Sequence, residues 1–379
     1  MKKYRFHVLG IPHTITSKEY NACAFTQKVL KFCQMMSERG HYIIHYGHEK
    51  SRVKCNEHVT IITSQDLERT YPNNWKKDFF KFNTDDYCYK KFSSLGIIEV
   101  KKRLNDRDFV LAFFGLAHKK LTDEIKKEQR AIILEPGIGY KGVYCDFRVY
   151  ESYAWMHYIM GIEKLSNPNW FHVVIPNYFD INDFTFSSDK KDYFLYLGRI
   201  SKCKGVDIAI QVTQHLDEKL VIAGQGDIYK ELGYSKLPKH VTCVGYADIE
   251  QRRELMRDAK GLFLLSNYVE PFGGVCIESL LSGTPIITSD WGAFTEFNIH
   301  SVTGYRVRNF DHLIWAAKNI SNIDPVKCRK YAEENFSFEK VGQMYEEYFH
   351  HLYTLWDKKG WYSIDKNRTS LDWLTRNAP

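Results

Sequence analysis

Short β-branched and aromatic runs alternate with longer helical patterns from one end of the chain to the other. This alternation predicts parallel sheets covered on both faces. In the first half the runs predict strands at about Tyr4–Leu9, Tyr42–Tyr46, His58–Thr63, Phe109–Phe114 and Ala131–Glu135. Between the first two, Ala22, Phe25, Val29, Phe32, Cys33 and Met36 recur at helical spacing, and Gly40 stands where a C-terminal cap belongs. The turn pair Pro176-Asn177 after Val173–Ile175 and the polar stretch Ser187–Asp192 then interrupt the pattern. It restarts with strands at about Tyr193–Leu197, Leu220–Ala223, Val241–Val244, Leu262–Leu265 and Pro285–Thr288, each followed by a helical segment.

The pattern implies an α/β protein of two Rossmann-like, doubly wound domains, 1–176 and 177–352. The amphipathic segment 353–379, with Trp356, Trp361 and Trp373, is expected to pack back on the first domain. Ligands of such sheets bind at the carboxyl ends of the strands, so the expected ligand position is a cleft between the domains.

Composition fits this picture. Hydrophobic residues are 44% and charged residues 26% of the 379, ordinary for a globular protein, and no apolar run reaches the roughly 18 residues of a membrane-spanning helix. Nine scattered cysteines form no C-x-x-C pair, which reads as reduced thiols in a cytoplasmic protein. Met1-Lys2-Lys3 leads into only a short, broken apolar stretch without a small-residue cleavage site, so no secretory signal is expected.

Charge changes the picture in one place. Between Lys76 and Arg130 there are 14 Lys or Arg against 9 Asp or Glu, most of the net charge of +7. Such a run is either a set of solvated helix faces or an electrostatic footprint for phosphates or a membrane surface. Aromatic residues are interleaved with it, Tyr71, Trp75, Phe79, Phe80, Phe82, Tyr87 and Tyr89.

Three clusters in the second half stand where strands should end. In the first, Gly198-Arg199 is followed by Lys204-Gly205, a basic pair at a strand end before a helix that can clamp a diphosphate; two exposed basic residues are the plainer account. In the second, Gly224-Gln225-Gly226 lets backbone approach a ligand, or simply makes a tight turn. The third runs Glu270-Pro271-Phe272-Gly273-Gly274-Val275-Cys276-Ile277-Glu278. Its glycines leave backbone N–H groups open at a helix start, an anion seat flanked by two carboxylates that can accept from sugar and ribose hydroxyls. The competing account has Glu270 capping the helix and Glu278 on the surface.

This third block resembles the glutamate pair, with seven residues between, of the retaining glycosyltransferase family numbered four (glycosyl transferases group 1), whose members have the two-domain GT-B fold. The Gly198-Arg199 to Lys204-Gly205 segment resembles that family's donor-diphosphate clamp, and Val174-Ile175-Pro176-Asn177 its interdomain linker. The likeness covers Val173–Val307. It implies catalytic roles for Glu270 at the transferred sugar, for Arg199 and Lys204 at the leaving diphosphate, and for His118 after the strand Phe109–Phe114. It also implies donor binding by Glu278 at the ribose, by Gly198 and by the backbone from Phe272 through Gly273 and Gly274 to Val275; Gly224 in the second cluster and Tyr246 after the strand Val241–Val244 are further donor-binding candidates. The chain departs from the family after its first strand, where Gly10-Ile11-Pro12-His13-Thr14-Ile15-Thr16 carries one glycine. Either His13, Thr14 and Thr16 act as side-chain donors there, or the Gly137-Ile138-Gly139 turn supplies the close backbone approach.

The implied activity is a metal-independent transfer of sugar, with retention, from a nucleotide sugar such as a UDP- or GDP-sugar to a saccharide or lipid-linked glycan. No resident cofactor is expected. No Asp-x-Asp pair stands at the end of a predicted strand to hold a metal, and Asp85-Asp86 reads as a helix start. Two enzyme alternatives remain. A GT-B nucleotide-sugar epimerase would need no acceptor. A phage-type transferase acting on hydroxymethylated DNA is suggested by the weak resemblance of Gly10–Thr14 and Cys23–Val29 to enzymes of phages and large viruses. A non-catalytic sugar-nucleotide binder is the third. The DNA reading predicts salt-sensitive binding reduced by reversing Lys101, Lys102 and Arg103. Peripheral membrane contact is a further option for the basic stretch.

Overall fold

The computed structural model describes residues 2–20, 23–71, 83–166 and 169–355. Among them thirteen strands form two sheets in which every paired strand is parallel. The first comprises β1 (Arg5–Leu9), β2 (Tyr42–His48), β3 (Glu57–Ile62), β4 (Asp108–Ala112), β5 (Ala131–Ile138), β6 (Phe147–Tyr150) and β7 (His172–Val174), in the order β3-β2-β1-β4-β5-β6-β7. The second comprises β8 (Lys191–Leu197), β9 (Leu220–Ala223), β10 (Val241–Gly245), β11 (Ala259–Leu264), β12 (Ile286–Ser289) and β13 (Gly304–Val307), in the order β10-β9-β8-β11-β12-β13. The doubly wound α/β architecture read from the sequence is therefore present twice.

The strands are near-continuous apolar runs because both sheet faces are covered. In the first sheet Phe6, Val8, Ile43, Phe109 and Leu111 belong to one core, while Leu9, Ile44, Tyr46 and Val110 belong to another. That is the two-residue alternation of a strand buried on both sides. The helix Ala24–Glu38 covers the first face with Val29, Phe32, Cys33 and Met36, and Gly40 follows its end at a φ of 81°. Ala22, read as part of this helix's apolar face, lies outside the described residues. The helix Tyr87–Arg103 covers the other face with Cys88, Phe92 and Val100, and its N-cap is Asp86. Strands β6, β7 and β13, of three or four residues each, are additions to the expected set.

The chain divides into two compact units, and the division differs from the expected ranges in two places. The helix Phe338–Leu355 belongs to the first unit, because Val341, Tyr345, Phe349 and Leu352 are buried in a core with Phe6, Phe32 and Phe109. Polar contacts reinforce it: Glu346 accepts from Arg39 at 2.6 Å and pairs with His41 at 2.9 Å. The helix Tyr153–Glu163 belongs to the second unit. Its N-cap Ser152 accepts from the Trp155 N–H, and Glu296 accepts from the N–H groups of Tyr153 and Ala154 at 2.9 and 2.8 Å. The expected packing of 353–379 on the first domain falls almost wholly outside the described residues. No helix among the described residues is long and apolar enough to cross a membrane.

Candidate functional site

The strand order of the second sheet reverses between β8 and β11. A crevice opens at the carboxyl end of a doubly wound sheet where such a reversal occurs. On one side of it, the ends of β8, β9 and β10 are stitched in sequence: Gly198 N–H donates to Ala223 O at 3.0 Å, Ile200 N–H to Gln225 O at 2.8 Å, and Gly224 N–H to Gly245 O at 2.7 Å. Gly198 and Gly224 are thus held back to back by strand packing. Tyr246 follows directly and is 53% exposed.

Across the reversal, the loops after β8 and β11 meet. Lys204 ends a single 3-10 turn, Lys202–Lys204, and Gly205 follows at a φ of 72°, where a Cβ would lie 2.3 Å from the Leu265 carbonyl oxygen. That close approach brings the Lys204 ammonium onto Glu270 Oε1 in an ion pair. Glu270 is 6% exposed, so its charge has lost most of its water and needs partners. Ser266 supplies a second one, its hydroxyl donating to Oε1 at 2.7 Å. Tyr268 completes the surround with its ring 4.8 Å from the Lys204 ammonium. Burial and the Glu270 carboxylate push the Tyr268 hydroxyl pKa upward, while the Arg199 charge opposes that shift. Arg199 itself is exposed.

Behind this pair, Ser152 donates to the Pro271 carbonyl at 2.6 Å and Ala293 N–H to the Glu270 carbonyl at 3.2 Å, which fixes the loop. The helix Gly274–Leu281 then starts at Gly273, whose φ of 74° is left-handed and whose N-cap role involves no side chain. Glu270 is therefore not the helix cap. This helix start is where the sequence reading expects an anion seat; the Cys276 N–H there donates to the Gly273 carbonyl at 2.8 Å. A Cβ at Gly274 would touch only the Phe179 ring, at 3.9 Å, and Val275 is half-buried. The Phe272 side chain is core, with its ring 4.6 Å from Phe297 and 6.0 Å from Phe336; only its backbone is available to a ligand. Glu278, one turn in, accepts from Arg252 Nη2 at 2.7 Å. No spacing in the sequence flags Arg252, which comes from the separate helix Ile249–Asp258.

In the first unit the expected residues turn inward. His118 is wholly buried with its ring 5.6 Å from Phe92, and neither ring nitrogen has a hydrogen-bond partner among the described residues. Burial pushes its pKa down to about 3, so the imidazole is neutral. The side chain is thus enclosed in this structure, with both ring nitrogens buried. The loop after β1 is also spent internally: His13 pairs with the Tyr89 hydroxyl at 2.7 Å, Thr14 with Thr26 at 2.7 Å, and Thr16 N–H donates to Ser51 at 3.2 Å. Gly137 and Ile138 end β5 where the sequence suggests a turn, and the missing side chains of Gly137 and Gly139 make room for the ion pair of Lys28 and Glu151. Several cations of the basic stretch are paired, Lys91 with Asp66, Lys101 with Glu128, Lys102 with Glu99 and Arg103 with Glu57. Lys76, Lys77 and Lys81, with Trp75, Phe79, Phe80 and Phe82, lie outside the described residues.

Comparison with known proteins adds a family to this geometry. Residues 179–335, which lie within the second unit, match the family model of glycosyl transferases group 1. An uncharacterised glycosyltransferase of Methanocaldococcus jannaschii is 30% identical over 142 residues, 35% of this chain and 36% of that protein. The O-antigen biosynthesis glycosyltransferase WclY of Escherichia coli is 26% identical over 41% of this chain and 45% of its own length. The chain thus spans less than half the length of the curated relatives it matches. Among solved structures, a sucrose-phosphate synthase from Thermosynechococcus elongatus superimposes with a TM-score of 0.69 at 15% identity, covering 92% of this chain and 100% of the other. The two Rossmann-like units have the fold class of GT-B glycosyltransferases.

Proposed function

We propose that the protein is a glycosyltransferase that moves a sugar from a nucleoside diphosphate donor to a hydroxyl of a saccharide or glycan, with retention and without a metal. The observation that carries this reading is the meeting of Lys204 and Glu270 at the strand-order reversal, beside the glycine-opened start of the helix Gly274–Leu281. Departure of a nucleoside diphosphate builds negative charge on its oxygens. Lys204, Arg199 and the N–H groups of the helix start are fixed positive partners for that charge, and one such donor is typically worth about 3 kcal/mol in the transition state. Glu270 sits beside them as an acceptor for hydroxyls of the transferred sugar, and Glu278 as an acceptor for the ribose. Donor phosphates compete with Glu270 for the Lys204 ammonium, so binding frees a Glu270 oxygen for the sugar.

Two further features support the reading. The matched relatives are named as glycosyltransferases, and HepE of Anabaena, which shares the fold at 13% identity and a TM-score of 0.64 over 91% of this chain and 98% of that one, was solved with UDP and glucose. The nine cysteines are free thiols, which suits a reducing compartment such as the cytoplasm.

The test is incubation with labelled nucleotide sugars, with and without candidate glycan acceptors. Slow release of free sugar, accelerated by an acceptor and unchanged by EDTA, is the expected result. A new nucleotide sugar would mark an epimerase instead. Turnover abolished by EDTA and restored by magnesium or manganese would overturn the metal-free mechanism.

A further inference from the structure

Arg252 and Glu278 meet across two helices whose relative position is already fixed elsewhere. Near the C-terminal ends of these helices, Lys190 Nζ donates to the carbonyls of Arg257 at 2.8 Å and Ser282 at 3.3 Å. The Thr284 hydroxyl donates to the Met256 carbonyl, and Met256, Cys276, Leu280 and Leu281 are buried in the same core. The fold of the helix pair therefore does not need Arg252. What Arg252 does is occupy Glu278 Oε2 at 2.7 Å; among the described residues Oε1 has no partner.

From this we propose that Arg252 is the positioning residue through which the site selects a ribonucleotide donor over a deoxyribonucleotide one. The inference rests on Glu278 as the ribose contact in the proposed function. A glutamate has three side-chain torsions, and a bound hydroxyl must otherwise pay for freezing them. The guanidinium fixes the carboxylate before the donor arrives and leaves one oxygen as the acceptor. The Glu278 side chain is only 18% exposed. A donor lacking the matching hydroxyl covers that oxygen without pairing it, which a site built around a hydroxyl penalises. With the guanidinium gone, the carboxylate can swing to water and the penalty falls.

The experiment is titration calorimetry of UDP, GDP and ADP, and of their 2′-deoxy and 3′-deoxy counterparts, against the wild-type protein, Arg252→Ala, Arg252→Lys and Glu278→Ala. The wild type should prefer one or more ribonucleotides by roughly ten-fold or more. Arg252→Ala should reduce that ratio to about three-fold or less, as expected when a charged hydrogen bond is no longer held in place, with the melting temperature and the affinity for inorganic pyrophosphate unchanged. Arg252→Lys should restore part of the ratio. An Arg252→Ala protein that keeps the wild-type ratio, or loses ribo- and deoxynucleotide affinity equally, overturns the proposal and leaves the ribose contact standing. A wild type without any ribose preference, or a Glu278→Ala protein that retains it, overturns the ribose contact itself.

Discussion

The Cβ atom that Gly224 lacks would lie 1.7 Å from the carbonyl oxygen of Gly198. Strands β8 and β9 end side by side, and their turns leave no room there for even a methyl group. Backbone, not a movable side chain, is what the methyl would strike. Gly224→Ala should destabilise the second unit by roughly 2–3 kcal/mol through overpacking of backbone on backbone, lowering its melting temperature by about 5–10 °C. A melt superimposable on the wild type would show that the two turns are not packed as described.

Lys204→Ala should lower kcat on the order of 10²- to 10³-fold, the usual effect of removing one fixed donor from a developing negative charge. The variant also strips the 6% exposed Glu270 of its cationic partner, so it should melt below the wild type and is assayed well under its transition. Transfer assays at saturating donor check this. Undiminished kcat would remove Lys204 from the leaving-group clamp.

Acid should weaken the first unit before it affects the second. His118 and His45 have pKa values pushed down to about 3 and His13 to about 4, in each case chiefly by burial. Each folded-state value lies below the ordinary 6.5, so below that pH the unfolded chain takes up protons that the folded one refuses. Stability is complete above pH 6.5 and falls by about 1.4 kcal/mol per pH unit for each such histidine until its folded value is reached. Urea melts at pH 7.5, 6 and 5 measure the slope, and His118→Asn should reduce it by the share of one proton. An unchanged slope in that variant would mean that His118 is accessible in the folded state.

Reversal of Lys101, Lys102 and Arg103 to Glu should act on stability, not on nucleic-acid binding. These cations face Glu128, Glu99 and Glu57 at 2.5 to 2.7 Å, and each reversal sets like charges together at a cost of about 0.5–1 kcal/mol for partly exposed pairs. Melting and fluorescence anisotropy with duplex DNA at low salt separate the two effects. DNA binding lost on reversal would revive the nucleic-acid reading of the basic stretch.

Much of this architecture is legible in the chain because buried parallel strands are written as apolar runs. The central strands β1, β4, β8 and β11 appear in the sequence within a few residues of their observed bounds. The edge-side strands β6 and β13 do not, since a four-residue segment such as Phe147–Tyr150 is too short for periodicity to register. At the site, the glycines and the Glu270–Glu278 spacing are local features and were readable. The Arg252–Glu278 pair was not, because it depends on how two helices pack. For His118 the place after a strand was readable, but burial by Phe92 and its neighbours is a tertiary property that position along the chain does not encode.

The path of the backbone also sets an order of events during synthesis. The second unit is assembled from 152–164 and 179–337, all of which have been made before residue 338 emerges from the ribosome. The first unit starts the chain, yet its core waits for Tyr345 and Phe349 to cover Phe6, Phe32 and Phe109. Domains commonly complete themselves from the N-terminus during translation. Here the half that is made first finishes last, and until then it carries an uncovered aromatic seam that a chaperone or a premature stop would meet.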